Sequence, residues 1–183
     1  MTSTTPRERY RTQVKAEIKA KAWEQIAVSG APGLSLNAIA KQLGMTGPAL
    51  YRYFSSRDEL LTELIRDAYG SFSAAVAAAG EVDLAGLARV VREWALADPQ
   101  RYFLTYGTPV PGYQAPEDTR ATAQQVMDRL VAACAGLGPD PEMRAVRAWT
   151  RLHGVLSLEL AGHFSGMDLD PSELFEAEVR SLS

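Results

Sequence analysis

The chain has 183 residues, 46% of them hydrophobic, one cysteine and a net charge of −3, which suits one medium domain or a small domain joined to a larger one. No run approaches the roughly 18 consecutive apolar residues of a membrane span, and the polar start Met1–Pro6 lacks the apolar stretch of a signal peptide. Cys134, alone, can form neither an intramolecular disulfide nor a cysteine metal site, which fits a reducing, cytoplasmic setting. The charge is uneven. Up to position 60 there are nine Lys or Arg against five acids, and beyond it ten against seventeen, or +4 and −7. Such a basic third suits phosphates, although chance asymmetry is an equal reading of charge alone.

The elements read as helices throughout. Residues 1–9 are expected to be a disordered basic tail, with the first helix running as far as Ser29 on the apolar positions Val14, Ile18, Trp23, Ile26 and Ala27. Gly30-Ala31-Pro32-Gly33 stops it. Ser35 is an N-cap for a helix over Leu36–Leu43, and Gly44 makes a tight turn. Thr46 caps a short helix over Gly47–Phe54 with Pro48 in its first turn, where the missing N–H costs nothing. Ser55-Ser56 opens a long connecting helix over residues 57–79, with Asp58 and Glu59 placed to favour its dipole. After a hinge at Gly80, helices are predicted from Leu84 to Ala97, from Pro99 to Tyr106, from Glu117 to Ala135, from Glu142 to Phe164 and from Ser172 to Leu182. Gly107–Pro116, with three Pro and two Gly, is a loop that can gate a pocket. No strand and no internal repeat is expected, so the fold class is all-α.

The segment from Leu34 to Leu61, LSLNAIAKQLGMTGPALYRYFSSRDELL, carries the most information. Leu36, Ile39, Ala40 and Leu43 make one apolar face, Met45 plugs the corner, and Leu50 and Phe54 complete the inner side of the short helix. Its outer side presents Thr46, Gly47, Tyr51 and Arg52. Helix, glycine turn and short helix with a polar outer face is the helix-turn-helix pattern, in which the second helix enters the major groove. A plain helical hairpin would look the same at this level.

The full string is more specific. Ser35-Leu36, Ile39-Ala40, Gly44-Met45-Thr46, Leu50-Tyr51-Arg52-Tyr53-Phe54, Arg57 and Glu59-Leu60-Leu61 closely resemble the N-terminal domain of TetR-family regulators, over about residues 10–65. The resemblance implies a three-helix DNA-binding domain over residues 10–56 and a helical C-terminal domain, residues 80–183, for ligand binding and dimerisation. It implies a palindromic double-stranded DNA partner and no enzyme. Under it, Ser35 caps its helix and can touch a phosphate, and Thr46 caps the recognition helix and can bond one. Gly47 and Pro48 approach base edges, where Pro48 and Ala49 offer apolar contact only. Tyr51 and Tyr53 resemble aromatic phosphate contacts, Tyr53 being alternatively half-buried against the first helix. Arg52 reaches a guanine edge or a phosphate, or is solvated. Arg57 resembles a backbone clamp, and Arg7, Arg9 and Arg11 form either an arm along DNA or a solvated tail.

In the C-terminal half, Trp149, His153 and Gly154 have a W-x-x-x-H-G spacing similar to the tryptophan–histidine–glycine TetR subfamily, and Asp98-Pro99-Gln-Arg-Tyr102-Phe103 resembles the same group. Val146, Trp149, His153, Leu156 and Leu160 line one face of the long helix, and Ala145, Ala148, Leu152 and Val155 an adjacent one. Two apolar faces need two partners: the chain's own core and, by the resemblance, a second subunit in a four-helix bundle. Leu152, Val155, Leu156, Glu159, Phe175 and Val179 are the expected dimer residues. A single monomeric core is the alternative.

Trp94, Tyr102, Phe103, Tyr106, Met127 and Trp149, with His153 and Cys134 as polar groups, suit a cavity for a small apolar or aromatic ligand. Each of these residues is otherwise simply core. His153 and His163 have no partner at metal-ligand spacing, so neither metal nor cofactor is expected. The function these features support is a repressor released by a ligand. A ligand-independent regulator or activator on the same fold stays open, as does a helical interaction protein without DNA binding.

Overall fold

The computed structural model describes residues 5–114 and 116–182, with the backbone alone described for Asp118 and Arg120. Among the described residues there are nine α-helices and no strand: α1 Pro6–Ser29, α2 Leu36–Gln42, α3 Gly47–Tyr51, α4 Arg57–Ala78, α5 Leu84–Ala97, α6 Pro99–Tyr106, α7 Glu117–Cys134, α8 Pro141–Leu160 and α9 Pro171–Arg180. A 3₁₀ turn at Ala31–Gly33 follows α1.

The helix starts follow from short-range chemistry. Thr5 and Glu8 form a reciprocal capping box: the Thr5 hydroxyl accepts from the Glu8 amide at 3.3 Å, and the Thr5 amide donates to the Glu8 carboxylate at 2.7 Å. With Pro6 at the first helical position, this draws residues 6–9 into α1, where a disordered tail was expected; residues 1–4 lie outside the described residues. At α4, Ser56 Oγ accepts from the Glu59 amide at 3.0 Å, and the Glu59 carboxylate accepts from the Ser55 hydroxyl and amide at 2.6 Å each. Those Ser55 bonds hold the Glu59 carboxyl below its ordinary range. Asp83, Asp98, Asp140 and Asp170 cap α5, α6, α8 and α9 in the same way.

Two compact units emerge. The first runs to Arg66 and takes in the loop from Thr108; the second comprises Asp67–Gly107 and the chain from Pro116 onward. The boundary therefore falls inside α4, not at the Gly80 hinge expected from composition. Phe72 and Val76, in the C-terminal part of α4, are members of the second core, so this one helix supplies two interiors. The Gly107–Pro116 loop, expected to gate a pocket, belongs mainly to the first unit: Tyr113 Oη lies 3.0 Å from Thr62 Oγ1.

In the first unit, α1 buries Val14, Ile18, Ala22 and Ile26, one residue per turn. This stripe passes through Ala22, leaving Trp23 half-buried beside it and Ala27 exposed. It closes on Leu36, Ile39 and Ala40 of α2, Leu50 of α3, and Phe54. Gly44 has φ 64°, a left-handed conformation that a side chain resists, and the Met45 amide then donates back to the Ala40 carbonyl at 2.9 Å.

The second unit packs α5 against α6, α7, α8 and α9. Its core corrects the expected dimer face. Leu152, Val155, Leu156, Phe175 and Val179 are all buried within the chain itself, and Glu159 pairs with Arg92 at 2.6 Å, with the Arg92 guanidinium over the Phe175 ring. The physical reason is that α9 covers this face of α8, so it is spent before any partner arrives. Phe175→Ala should accordingly cost the fold about 3–5 kcal/mol through an internal cavity, read as a lower midpoint in urea unfolding. A variant as stable as the parent would put Phe175 back on an outer surface.

Candidate nucleic-acid interface

The first unit displays its outer row from α3. Thr46, Pro48, Tyr51 and Arg52 are exposed, while Leu50 between them is fully buried and fixes the helix on its floor. Tyr51 leaves 45% of its surface to solvent. Gly47 is half-buried, and a Cβ there would meet Asn37 Oδ1 at 3.7 Å, an ordinary contact. Ser35 acts as the expected cap, its Oγ accepting from the Ala38 amide at 3.3 Å, while its own amide donates to Gln25 Oε1 at 3.0 Å.

Two roles differ from expectation. Thr46 occupies the N-cap position of α3, yet its side chain makes no capping bond. Pro48 removes the N–H that such a cap would take, and the Ala49 amide is already bonded to the Thr46 carbonyl at 3.0 Å. Arg57 turns inward: its Nη2 donates to the carbonyls of Ala31 and Pro32 at 3.1 and 3.3 Å, stapling the 3₁₀ turn to the start of α4.

Sequence reasoning missed the role of Arg11. Its Nη2 donates to the Arg52 carbonyl at 3.2 Å and its guanidinium stands 5.4 Å from the Tyr53 ring centre. Tyr53 is thereby half-buried against α1, the alternative that the sequence left open. Lys15, one turn further on, lies 4.9 Å from the Phe54 ring centre. The i, i+4 spacing of two bases on the face beside the buried stripe is the signal that points to this contact.

The second unit contains a cavity of about 230 Å³ lined by Tyr106, Ala123, Gln124, Val126, Met127, Leu130 and Trp149. Three of the expected ligand residues, Tyr106, Met127 and Trp149, thus meet there. The others stand behind the wall as an aromatic cluster. Trp94 stacks on Phe72 at 4.5 Å and donates to Ser71 Oγ at 3.1 Å. Phe103 meets Tyr102 edge-on at 5.5 Å. Tyr102 is buried with its hydroxyl 2.8 Å from His153 Nδ1, and His153 in turn contacts Tyr106 and Trp149 at 4.6 and 4.0 Å between ring centres. Burial pushes His153 down to about 4 and Tyr102 up to about 12, and raises Tyr106 as well. The imidazole is therefore neutral, and its Nε2 is buried without a hydrogen-bond partner. Cys134 is buried in the same core, its thiol raised by desolvation. No group of three potential metal ligands occurs among the described residues, and no helix there is long and apolar enough to cross a membrane.

Residues 18–64 match the family model for bacterial regulatory proteins of the tetR family, and residues 84–182 match a tetracyclin repressor-like C-terminal domain. The chain belongs to the TetR family. The HTH-type transcriptional regulator Mb1846 of Mycobacterium bovis is 36% identical over 94% of this chain and 92% of its own length. The crystal structure of the regulatory protein SCO4313 shares 57% identity and a TM-score of 0.91, covering 97% of this chain and 98% of that one. A TetR protein of Acinetobacter baumannii in complex with minocycline shares the fold alone, with a TM-score of 0.58 at 19% identity over 90% of this chain and 91% of that one. This TetR-family chain is a DNA-binding transcriptional regulator and not an enzyme.

The neutral imidazole sets a pH dependence. His153 titrates near 6.5 when unfolded and near 4 when folded, so between these values the unfolded chain binds more protons. Its contribution to stability is present above pH 6.5 and is lost as pH falls toward 4. The melting temperature of the parent should therefore fall more steeply over that window than that of His153→Gln. Parallel curves would show that the ring is accessible to protons in the folded state.

Proposed function

We propose that the protein is a repressor which binds a palindromic double-stranded operator as a homodimer and is released by a small ligand held in its second unit, acting in the cytoplasm. The observation that carries the first part is the exposed row of Thr46, Pro48, Tyr51 and Arg52 over a rigid apolar floor. Tyr51 and Arg52 supply donors for phosphate or a base edge, and Pro48 an apolar contact. A dimer would set two such rows in successive major grooves, roughly 34–36 Å apart.

The face of α8 that remains open supports the pairing. Val146 and Leu158 expose 46% and 43% of their surface, and Thr150 and Gly154 lie exposed between them. A Cβ at Gly154 would meet nothing within 4 Å, which leaves room for a partner helix to approach closely. This stripe replaces the inner face assigned from sequence.

The ligand reading rests on the cavity. Its walls are aromatic and aliphatic apart from the Gln124 amide, and no charged side chain lines it among the described residues. A cavity of roughly 150 Å³ is enough to admit benzene, so the site suits an uncharged aromatic or apolar molecule somewhat larger than that. The Acinetobacter baumannii TetR protein, which shares this fold, is itself in complex with minocycline, and that supports the reading. Release follows if the ligand favours a conformation that no longer matches the operator.

Fluorescence anisotropy with labelled DNA from upstream of the protein's own gene, over a salt series and beside scrambled DNA, tests the reading. Specific, salt-sensitive binding is expected. Tyr51→Ala should weaken it by about tenfold at an unchanged melting temperature, the loss typical of one good contact. Equal binding by parent and variant would remove Tyr51 from the interface. Leu158→Asp should convert dimer to monomer in sedimentation without loss of helix content. A variant of unchanged mass would move the dimer contact off this stripe.

A further inference from the structure

A second pocket, of about 370 Å³, lies at the start of α8 and has a different character from the aromatic cavity. Arg144, Arg147 and Arg151 line it together with Pro139, Met143 and Leu182. The three arginines sit at i, i+3 and i+7, on one edge of the helix. Arg151 is committed: its Nε donates to Glu178 at 2.7 Å and its Nη2 to Ser181 Oγ at 2.6 Å. Arg144 and Arg147 have no carboxylate partner among the described residues. Arg144 Nε is buried without a hydrogen bond, and its guanidinium is seated so closely over Gly138 that a Cβ there would come within 2.8 Å of Nη2. Asp140, the acid in the wall, has its Oδ1 engaged by the Met143 amide at 3.1 Å as the cap of α8.

Like charges one turn apart repel, and here they gather within a section of chain whose overall balance is acidic. An anion is the group that would relieve this. We propose that the Arg144–Arg147–Arg151 pocket is a binding site for a phosphomonoester, separate from the aromatic cavity. Two guanidinium forks without acid partners match the charge and the oxygen geometry of a phosphate dianion. The volume exceeds that of a phosphate ion, and Pro139, Met143 and Leu182 offer an apolar wall for an organic body. The inference stands independently of the repressor reading.

Isothermal titration calorimetry of the full chain at constant ionic strength tests it, with phenyl phosphate and inorganic phosphate as probes and chloride as the control. The expected result is saturable binding of phenyl phosphate at one site per chain, lost by about tenfold or more in Arg144→Gln/Arg147→Gln. Equal affinity for both phosphates, still lost in the double variant, would support the same site with the free ion as its source. Absence of saturable heat from either phosphate, or equal binding by parent and variant, overturns the proposal. So does a double variant that binds neither probe but sediments as monomer where the parent is dimeric, because the arginines would then serve the partner chain. Should the double variant fail to fold, Arg147→Gln alone, at an exposed position, gives the same reading.

Discussion

The proposed DNA-reading surface depends on one constraint: α2 and α3, of seven and five residues, are far too short to persist alone. Isolated helices below roughly 12–15 residues are marginal in water. Their existence is a tertiary effect. The α1 stripe supplies the floor, Ile39, Ala40, Leu50 and Phe54 supply the contact, and Gly44 permits the reversal between them. Two polar staples then fix the edges: Arg57 on the carbonyls of the 3₁₀ turn, and Arg11 on the carbonyl of Arg52. Tyr51 and Arg52 are presented by a frame held by a buried apolar floor and by two arginines bonded to backbone carbonyls.

The second unit solves a different problem, that of burying polar aromatic groups beside an apolar cavity. Tyr102 and His153 satisfy one another through a 2.8 Å contact, and Trp94 finds Ser71. Each pairing removes a desolvation cost that the ring would otherwise carry into the core. One atom is left over. His153 Nε2 is buried without a partner in a ring packed directly on two cavity walls, Tyr106 and Trp149. An apolar residue at this position would leave the Tyr102 hydroxyl without its ring partner, so the imidazole is kept for that bond while its second nitrogen stands unpaired beside the cavity where a ligand is proposed to bind.

Helix positions were largely legible from sequence because their ends are written in local chemistry: Pro at the first turn of α6 and α9, Asp or Ser at the caps, and Gly30, Gly44 and Gly107 at the stops. What was not legible depended on choices between equivalent surfaces. Leu152 and Val155 on α8 and Phe175 and Val179 on α9 have the spacing of an interface and equally that of a core; only the seating of α9 decides, and periodicity does not encode it. Arg57 and Arg52 are alike as letters, yet one reaches backbone carbonyls 25 and 26 residues away while the other stands exposed. Thr46 could not be recognised as a non-capping N-cap without knowing that Ala49 would turn its amide to the Thr46 carbonyl. Among the residues expected to hold a ligand, Tyr106 and Trp149 line the cavity while Trp94 and Tyr102 stand behind it, a division that composition does not encode.

The fate of the basic residues bears on how such a surface would recognise DNA. Of the nine Lys and Arg before position 60, Arg11, Lys15 and Arg57 are engaged inside the unit, and Lys21 pairs with Glu24 at 2.8 Å. Arg7, Arg9, Lys41 and Arg52 are exposed, with no side-chain partner among the described residues. The +4 balance persists, since carbonyls and rings neutralise none of it, but fewer of these side chains are free to reach a phosphate directly. With fewer direct ionic contacts per subunit, a larger share of the binding free energy would have to come from fit, for which the proposed surface offers the hydroxyls of Ser35, Thr46 and Tyr51 and the apolar edge of Pro48 and Ala49. Fit of that kind would require both copies of the proposed dimer in register, so the rigidity of the pairing would matter more to this surface than its net charge.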